Sequence, residues 1–239
     1  VKFNWETLHA CPICEAPGPF TPTNCCTIRP TEYVMVYVTC PECGGEFHNP
    51  MWTRDTIDEW YSSGEYMKVA NPAPVLRQMQ YAVNYVTFLT SNGVKSIGRF
   101  LEFGSGEGHL LREIVKTFGA EVAGIEKDPG RIVKSGAVDS PDGQFDVIAA
   151  VHSLEHAPRP LETLRWLVTM LTQDGHVLIE VPVRKGHLCE SHPIAFTPDA
   201  LLLMADLAGL EPRAAAETPR NGYSFIGLFR RMSEAQGSQ

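Results

Sequence analysis

The chain has 239 residues, 44% of them hydrophobic and 20% charged, which is enough apolar material for one full-sized core plus a small accessory module and excludes a disordered tail. Twenty Lys and Arg against 28 Asp and Glu leave a formal net charge of -8, so no global positive field draws the protein to nucleic acid or anionic lipid, and a small or neutral substrate is favoured. No apolar run reaches the ~20 residues that span a bilayer, and residues 1–6 lack the apolar core of a secretion signal, so a reducing cytoplasm is the expected compartment.

Residues 1–50 stand apart in their Cys, Pro and Thr content. Cys11 and Cys14 have two residues between them, as do Cys40 and Cys43, and 25 residues separate the two pairs. Each short loop can present two sulfurs to one tetrahedral ion, so the four thiolates predict a closed, structural zinc site rather than a disulfide framework. Cys25, Cys26 and His48 are spare ligands, and a β-prone run at 33–38 lies between the pairs. Many zinc ribbons bind nucleic acid, but here Lys2 and Arg29 are the cations against Glu6, Glu15, Glu32, Glu42 and Glu46. That balance favours a docking role, or a wall of the substrate site.

Residues 51–93 read as a helical bridge or lid, with Trp52, Ile57, Trp60 and Tyr61 as apolar contacts and Thr53 or Asp55 as a cap. From Pro74 the apolar positions Val75, Leu76, Met79, Ala82, Val83, Val86 and Leu89 keep a helical period that Asn92 and Gly93 stop. Beyond them short β runs at 99–103, 121–125, 145–151, 176–181, 212–216 and 225–230 alternate with helical stretches at 109–118, 160–171 and 198–208. This alternation predicts an α/β domain over 94–232, a parallel sheet with helices on its faces. Thr197 and Pro198 start the last helix well, and the tail at 233–239 is expected to fray.

The run 99–103 feeds Gly104-Ser105-Gly106-Glu107-Gly108 and then a helix. A glycine turn at the carboxyl end of a strand lets a ligand approach bare backbone, with the first helical amides facing it. Glu126 ends the next strand, where a carboxylate can accept from both ribose hydroxyls. Glu102 puts a second carboxylate at the mouth of the turn, which repels a pyrophosphate and suits a cationic amino acid and sulfonium. S-adenosyl-L-methionine therefore fits better than NAD.

The ordered set from Leu101 to Gly108, Gly124 to Glu126, Gln144 to Ile148, Leu154 to His156 and Gly175 to Pro182 resembles the successive motifs of class I SAM-dependent methyltransferases over roughly 94–230. The two cysteine pairs, Asn49-Pro50 and the Trp60-Tyr61 stretch resemble the zinc-ribbon leader of a branch that includes sugar C-methyltransferases and natural-product methyltransferases. The resemblance implies a Rossmann-like doubly wound, mostly parallel sheet with an antiparallel last strand. It also implies that Glu102, Gly104, Gly106 and Gly108 line the methionine and ribose, that Glu126 holds the ribose, and that His152 lies at the cofactor edge. Only nineteen residues separate Glu126 from Asp146, shorter than the family interval, so the third strand is expected to be stunted or absent, with Asp139 the nearest adenine contact.

Methyl transfer to oxygen or carbon requires alignment of the acceptor and removal of a proton. Two histidine clusters compete for that role. The first, His152-Ser153-Leu154-Glu155-His156, mimics an inverted zinc-protease motif, but it follows a buried strand run rather than sitting on a helix. A similar segment in ubiquinone-pathway O-methyltransferases has Glu where His152 stands and is linked to a divalent metal; the replacement argues against a metal here without closing the question. The second cluster, His187-Leu188-Cys189-Glu190-Ser191-His192, lies in the loop that overhangs the carboxyl edge of the sheet. It resembles the Glu-His segment of sugar C-methyltransferases. His192 is the expected general base with Glu190 orienting it, and His156 is the rival base. The expected function is biosynthetic methyl transfer to a hydroxyl of a sugar or natural-product intermediate, with C-methylation as runner-up. An NAD-linked oxidoreductase or a noncatalytic binding protein of the same fold are the alternatives of other classes. The oligomeric state is left open.

Overall fold

The computed structural model describes residues 4–28, 33–64, 73–136, 141–183, 192–218 and 223–233. The N-terminal segment carries the short strand β1 (Trp5–Glu6), the hairpin β2 (Thr21–Ile28) and β3 (Tyr33–Thr39), then β4 (Glu46–His48) and β5 (Met51–Trp52). Helix α1 (Arg54–Ser62) follows, started by Thr53, whose side chain accepts from the backbone N–H of Thr56; of the two expected caps, Thr53 takes the position. Helix α2 (Val75–Ser91) ends at Asn92, as its apolar period predicts.

The larger sheet is built from β6 (Arg99–Phe103), β7 (Glu121–Ile125), β8 (Phe145–Val151), β9 (Leu171–Pro182), β11 (Leu210–Thr218) and β12 (Ser224–Arg231). Between them lie α3 (His109–Phe118), α4 (Pro129–Ser135), α5 (Pro160–Thr169) and α6 (Pro198–Leu207), with the two-residue strand β10 (Ile194–Ala195) just before α6. The spatial order is β11-β12-β9-β8-β6-β7. β7, β6, β8 and β9 run parallel, and β12, the last strand in the chain, runs antiparallel to both its neighbours. This is the expected Rossmann-like α/β fold. Among the described residues no strand stands between α4 and β8, so β7 forms the sheet edge where a third strand would extend it.

Strand alternation sorts the core into two layers. Leu101, Ile148, Ile179 and Phe229 face α5 and α6 together with Leu8, Ile13 and Phe47 of the N-terminal segment. Phe100, Val147, Leu178 and Leu228 face the other way, onto Tyr85, Val86 and Leu89 of α2 and Leu110, Leu111 and Ile114 of α3. The cysteine segment is thus sealed to one face of the large sheet by continuous apolar packing. A further junction is strand pairing: β10, from the loop after β9, adds to β4 and gives the four-stranded order β10-β4-β3-β2. β9 is longer than the expected 176–181 because 171–175 joins it through an irregular register opposite β8, carried by polar residues that no apolar pattern marks.

Candidate active site

β6 delivers its carboxyl end into the glycine turn. Gly104 sits at φ 75°, and a Cβ there would stand 2.7 Å from the Cβ of Ser153. Only glycine satisfies both the backbone and the space. The amides of Gly104 and Ser105 donate to the Ile125 carbonyl at 2.8 and 3.0 Å, and Gly106 donates to Glu126 Oε2 at 2.8 Å. These N–H groups therefore close the turn, which leaves ligand recognition to the carboxylates and to the start of α3.

Both carboxylates at the turn are buried. Glu126 is clamped by N–H donors, since Lys127 and Asp128 also donate to Oε1, at 2.8 and 3.0 Å. Glu102 Oε2 has no hydrogen-bond partner. Burial raises the Glu102 pKa well above its ordinary value and the charge of Glu126 adds to the rise, against weaker opposition from the Leu111 amide and Arg112. Glu102 thus keeps a buried oxygen unsatisfied beside the charge of Glu126, an arrangement that calls for a cationic or hydroxyl-bearing partner.

His152 follows β8 at φ 49° and donates its backbone N–H to the backbone carbonyl of Glu180 in β9 at 2.8 Å. Its ring lies between two buried acids, Nδ1 3.3 Å from Glu155 Oε1 and Nε2 3.5 Å from Glu180 Oε2. Burial alone would strip its proton, but the two carboxylates outweigh burial and raise its pKa to about 10. Glu180 in turn accepts from Tyr85 of α2 and from Thr218 Oγ1 at 2.7 Å. The imidazole expected at the cofactor edge thus sits in a charged network with Glu155 and Glu180.

His156 and His192, one from each of the two rival clusters, meet. The His156 and His192 rings are 4.8 Å apart between centroids, at 65°. Beneath them Glu155 is fully buried, with Oε1 3.3 Å from His152 Nδ1 and 3.9 Å from His156 Nε2. Burial would raise the Glu155 pKa, but contact with His152 and the charges of His156 and His192 bring it down to about 2. Ligand atoms of Glu155, His156 and His192 all lie within 4.8 Å of one another. An edge-to-face series, Trp5, Trp52, Trp60, Tyr61, His156, walls this side, with Tyr61 6.1 Å from His156. Glu190, His187, Cys189 and Asp139 lie outside the described residues.

The four cysteines Cys11, Cys14, Cys40 and Cys43 converge, all sulfurs within 4.8 Å of one another, with Cys11 to Cys43 at 3.8 Å and Cys14 to Cys40 at 3.6 Å. Two matching turns present them: Glu15 N–H donates to the Cys11 carbonyl and Gly44 N–H to that of Cys40, at 2.8 and 2.9 Å, with positive φ at Glu15 and Gly44. The hydrogen bond from Cys11 pulls the Cys43 pKa down to about 6, helped by the Gly45 N–H at 3.4 Å from its sulfur, while burial pushes Cys14 up to about 12. Cys25 is exposed and His48 is buried; neither joins this cluster. The convergence of His156 with His192 has no local sequence signal, because β10 pairs with β4 through two residues that carry too little periodicity to announce a strand.

A family model described as methyltransferase domain matches residues 75–218. The chain is similar to the crystal structure of magnesium protoporphyrin IX methyltransferase from Synechocystis PCC 6803 with bound SAH, at 13% identity over 74% of this chain and 98% of that one, TM-score 0.56. It is likewise similar to the N-methyltransferase NodS from Bradyrhizobium japonicum WM9 in complex with S-adenosyl-L-homocysteine, at 16% identity over 72% and 97%, TM-score 0.56. The 4+2 cyclase SpnF is another neighbour, at 13% identity over 63% and 80%, TM-score 0.53. No curated protein matches at a significant level. At such identities the neighbours share a fold, and a cyclase among them illustrates that fold alone does not name a reaction.

Proposed function

The chain belongs to the methyltransferase-domain family, and on that premise we propose that it moves the methyl group of S-adenosyl-L-methionine to a hydroxyl, or a carbon, of a small acceptor such as a sugar or natural-product intermediate. The observation that carries the cofactor is the pair of buried carboxylates, Glu102 and Glu126, flanking a glycine turn at the carboxyl edge of the sheet. In this reading Glu126, already oriented by N–H donors, accepts from the ribose hydroxyls. Glu102 pairs with the positive end of the ligand, whose arrival offsets the cost of holding two buried acids together. Gly104, Gly106 and Gly108 leave room along the methionine and ribose.

The cofactor supplies a methyl group on a cationic sulfur. The chain's part is to align the acceptor and take its proton as the new bond forms. His192 is assigned as the general base, with Glu190 as its orienting carboxylate, His156 against its ring and Glu155 beneath His156. His152, held between Glu155 and Glu180, fixes the Glu155 carboxylate from behind. Cys11, Cys14, Cys40 and Cys43 fit a structural zinc. Tetrahedral thiolates on that ion sit about 3.8 Å apart, close to the observed 3.8 and 3.6 Å.

A second reading rests on one further feature: Glu155, His156 and His192 converge closely enough to hold a divalent cation that would grip the acceptor oxygen. Metal analysis separates the two. Zinc near one equivalent per chain, with turnover insensitive to added divalent cations, supports the base; a second equivalent lost in His192→Ala supports the cation. The function itself is tested by incubation with S-adenosyl-L-methionine and candidate hydroxylated metabolites, with the added methyl located by mass spectrometry and NMR. No product across sugars and natural-product intermediates would overturn the acceptor class.

A further inference from the structure

Residues 192–197 are held almost residue by residue by the cysteine segment. Tyr37 Oη donates to the His192 carbonyl at 3.3 Å, and the His48 N–H donates to the Pro193 carbonyl at 3.0 Å. Ile194 and Ala195 pair with Phe47 and Glu46 as β10 on β4. Thr197, the cap of α6, donates its hydroxyl to the carbonyl of Cys43, one of the four converging thiols, at 3.3 Å. These anchors are deep in the protein: Tyr37, Phe47, His48 and Ile194 are fully buried, and the Tyr37 and His48 rings pack edge to face with centroids 4.0 Å apart. Burial holds His48 neutral, its pKa pushed down to about 3, so the support carries no charge into the site.

We propose that residues 37–48 are the positioning half of the acceptor site: Tyr37 and the β4 edge fix His192 against His156, so the cysteine segment sets the geometry of methyl transfer while leaving the cofactor turn untouched. This rests on the assignment of His192 made above. The physical reason is leverage. The Cys40 to Cys43 turn ends three residues before β4 begins, so displacement of that turn shifts the ladder that carries residues 194 and 195, and a displacement of ~1 Å at a base is enough to cost about a hundredfold in rate. Gly104, Ser105, Gly106 and Glu126 make their hydrogen bonds within residues 104–128, Glu107 adds one from Lys134, and among the described residues none of these is shared with this ladder.

The test uses the full chain in two arms. In the first, protein with and without its thiol-bound zinc is compared by amide hydrogen exchange and by calorimetry with S-adenosyl-L-homocysteine. Chelation is expected to speed exchange at residues 193–197 by at least ~10-fold, while exchange across 99–108 and by-product affinity stay within about threefold. Unchanged protection at 193–197, or affinity falling in step with that protection, would overturn the proposal. In the second arm Tyr37→Phe keeps the buried ring and removes the donor. Its kcat is expected to fall about 5- to 10-fold with KM for the methyl donor unchanged; an unchanged kcat, or a drop shared equally by donor binding, counts against it. If the purified chain holds no zinc, the thiolate reading fails by itself and Tyr37→Phe decides the positioning claim alone. If the second arm gives the split but His192→Ala keeps full turnover, the base assignment fails while the tether stands.

Discussion

The glycine turn and the histidine pair share the carboxyl edge of one sheet, yet they are made in opposite ways. The turn with its two acids is contiguous: strand, turn, helix, strand and Glu126 within 99–126, closed by its own amides. The pair is assembled from His156 after β8, His192 before β10, and a support drawn from β3 and β4 more than a hundred residues upstream. A contiguous site survives disturbance elsewhere in the chain, whereas an assembled one inherits the stability of every piece. The cofactor half is accordingly expected to tolerate damage to the cysteine segment, and the acceptor half is not.

The largest effect expected from this contrast is on turnover alone. His192→Ala and His156→Ala should each lower methyl transfer by about 10²- to 10⁴-fold and leave by-product affinity by calorimetry within about threefold; full activity in both would remove the catalytic assignment. Next is Gly104→Ala, where the turn closes against Ser153. Its positive φ and the approach to Ser153 predict a loss of ~100-fold in cofactor affinity, with a stability loss of roughly 1–3 kcal/mol read from denaturant midpoints. Unimpaired binding would show that the turn is not the cofactor site.

Glu102→Gln sharpens the cofactor half. It should weaken S-adenosyl-L-methionine by about 10-fold yet stabilise the free protein. The folded carboxyl titrates well above the ordinary 4.5, so folding retains a proton that the unfolded chain releases, and stability falls as pH rises above 4.5 toward the folded value. Melting temperatures of the variant and the parent should therefore agree below about pH 4 and diverge in the variant's favour above it. The opposite order at neutral pH would mean that Glu102 is already satisfied. The smallest effect is expected at Arg165→Ala, which removes the guanidinium gripping Glu15 on the surface of the cysteine segment. Both side chains are largely exposed, so the loss should be at most about 1 kcal/mol, smaller still in high salt, with no change in donor affinity.

Legibility in the sequence followed the same divide. Residues 99–103, 109–118 and 121–125 read directly as β6, α3 and β7, because a buried strand, a glycine turn and an amphipathic helix are local signals. Thr197 as the cap of α6, the stop of α2 at Asn92 and the convergence of the four cysteines are of that kind too. What could not be read was pairing across distance. β10 has two residues, and its partner lies near residue 47; no periodicity distinguishes it from loop. His156 and His192, taken from two clusters that looked like competitors, therefore stand side by side. His152 also changed neighbours: its position after β8 suggested the cofactor edge, but only the fold shows Glu155 and Glu180 on either side of it.

The central claim, that Glu102, Glu126 and the turn between them bind a sulfonium nucleoside, is tested most directly by titration calorimetry on metal-replete protein with S-adenosyl-L-methionine, its demethylated by-product and NAD. The account predicts saturable one-to-one binding of the first two and none of the third, with the affinity reduced in Glu102→Gln. No heat from either sulfur compound, or preferential binding of NAD, would contradict it.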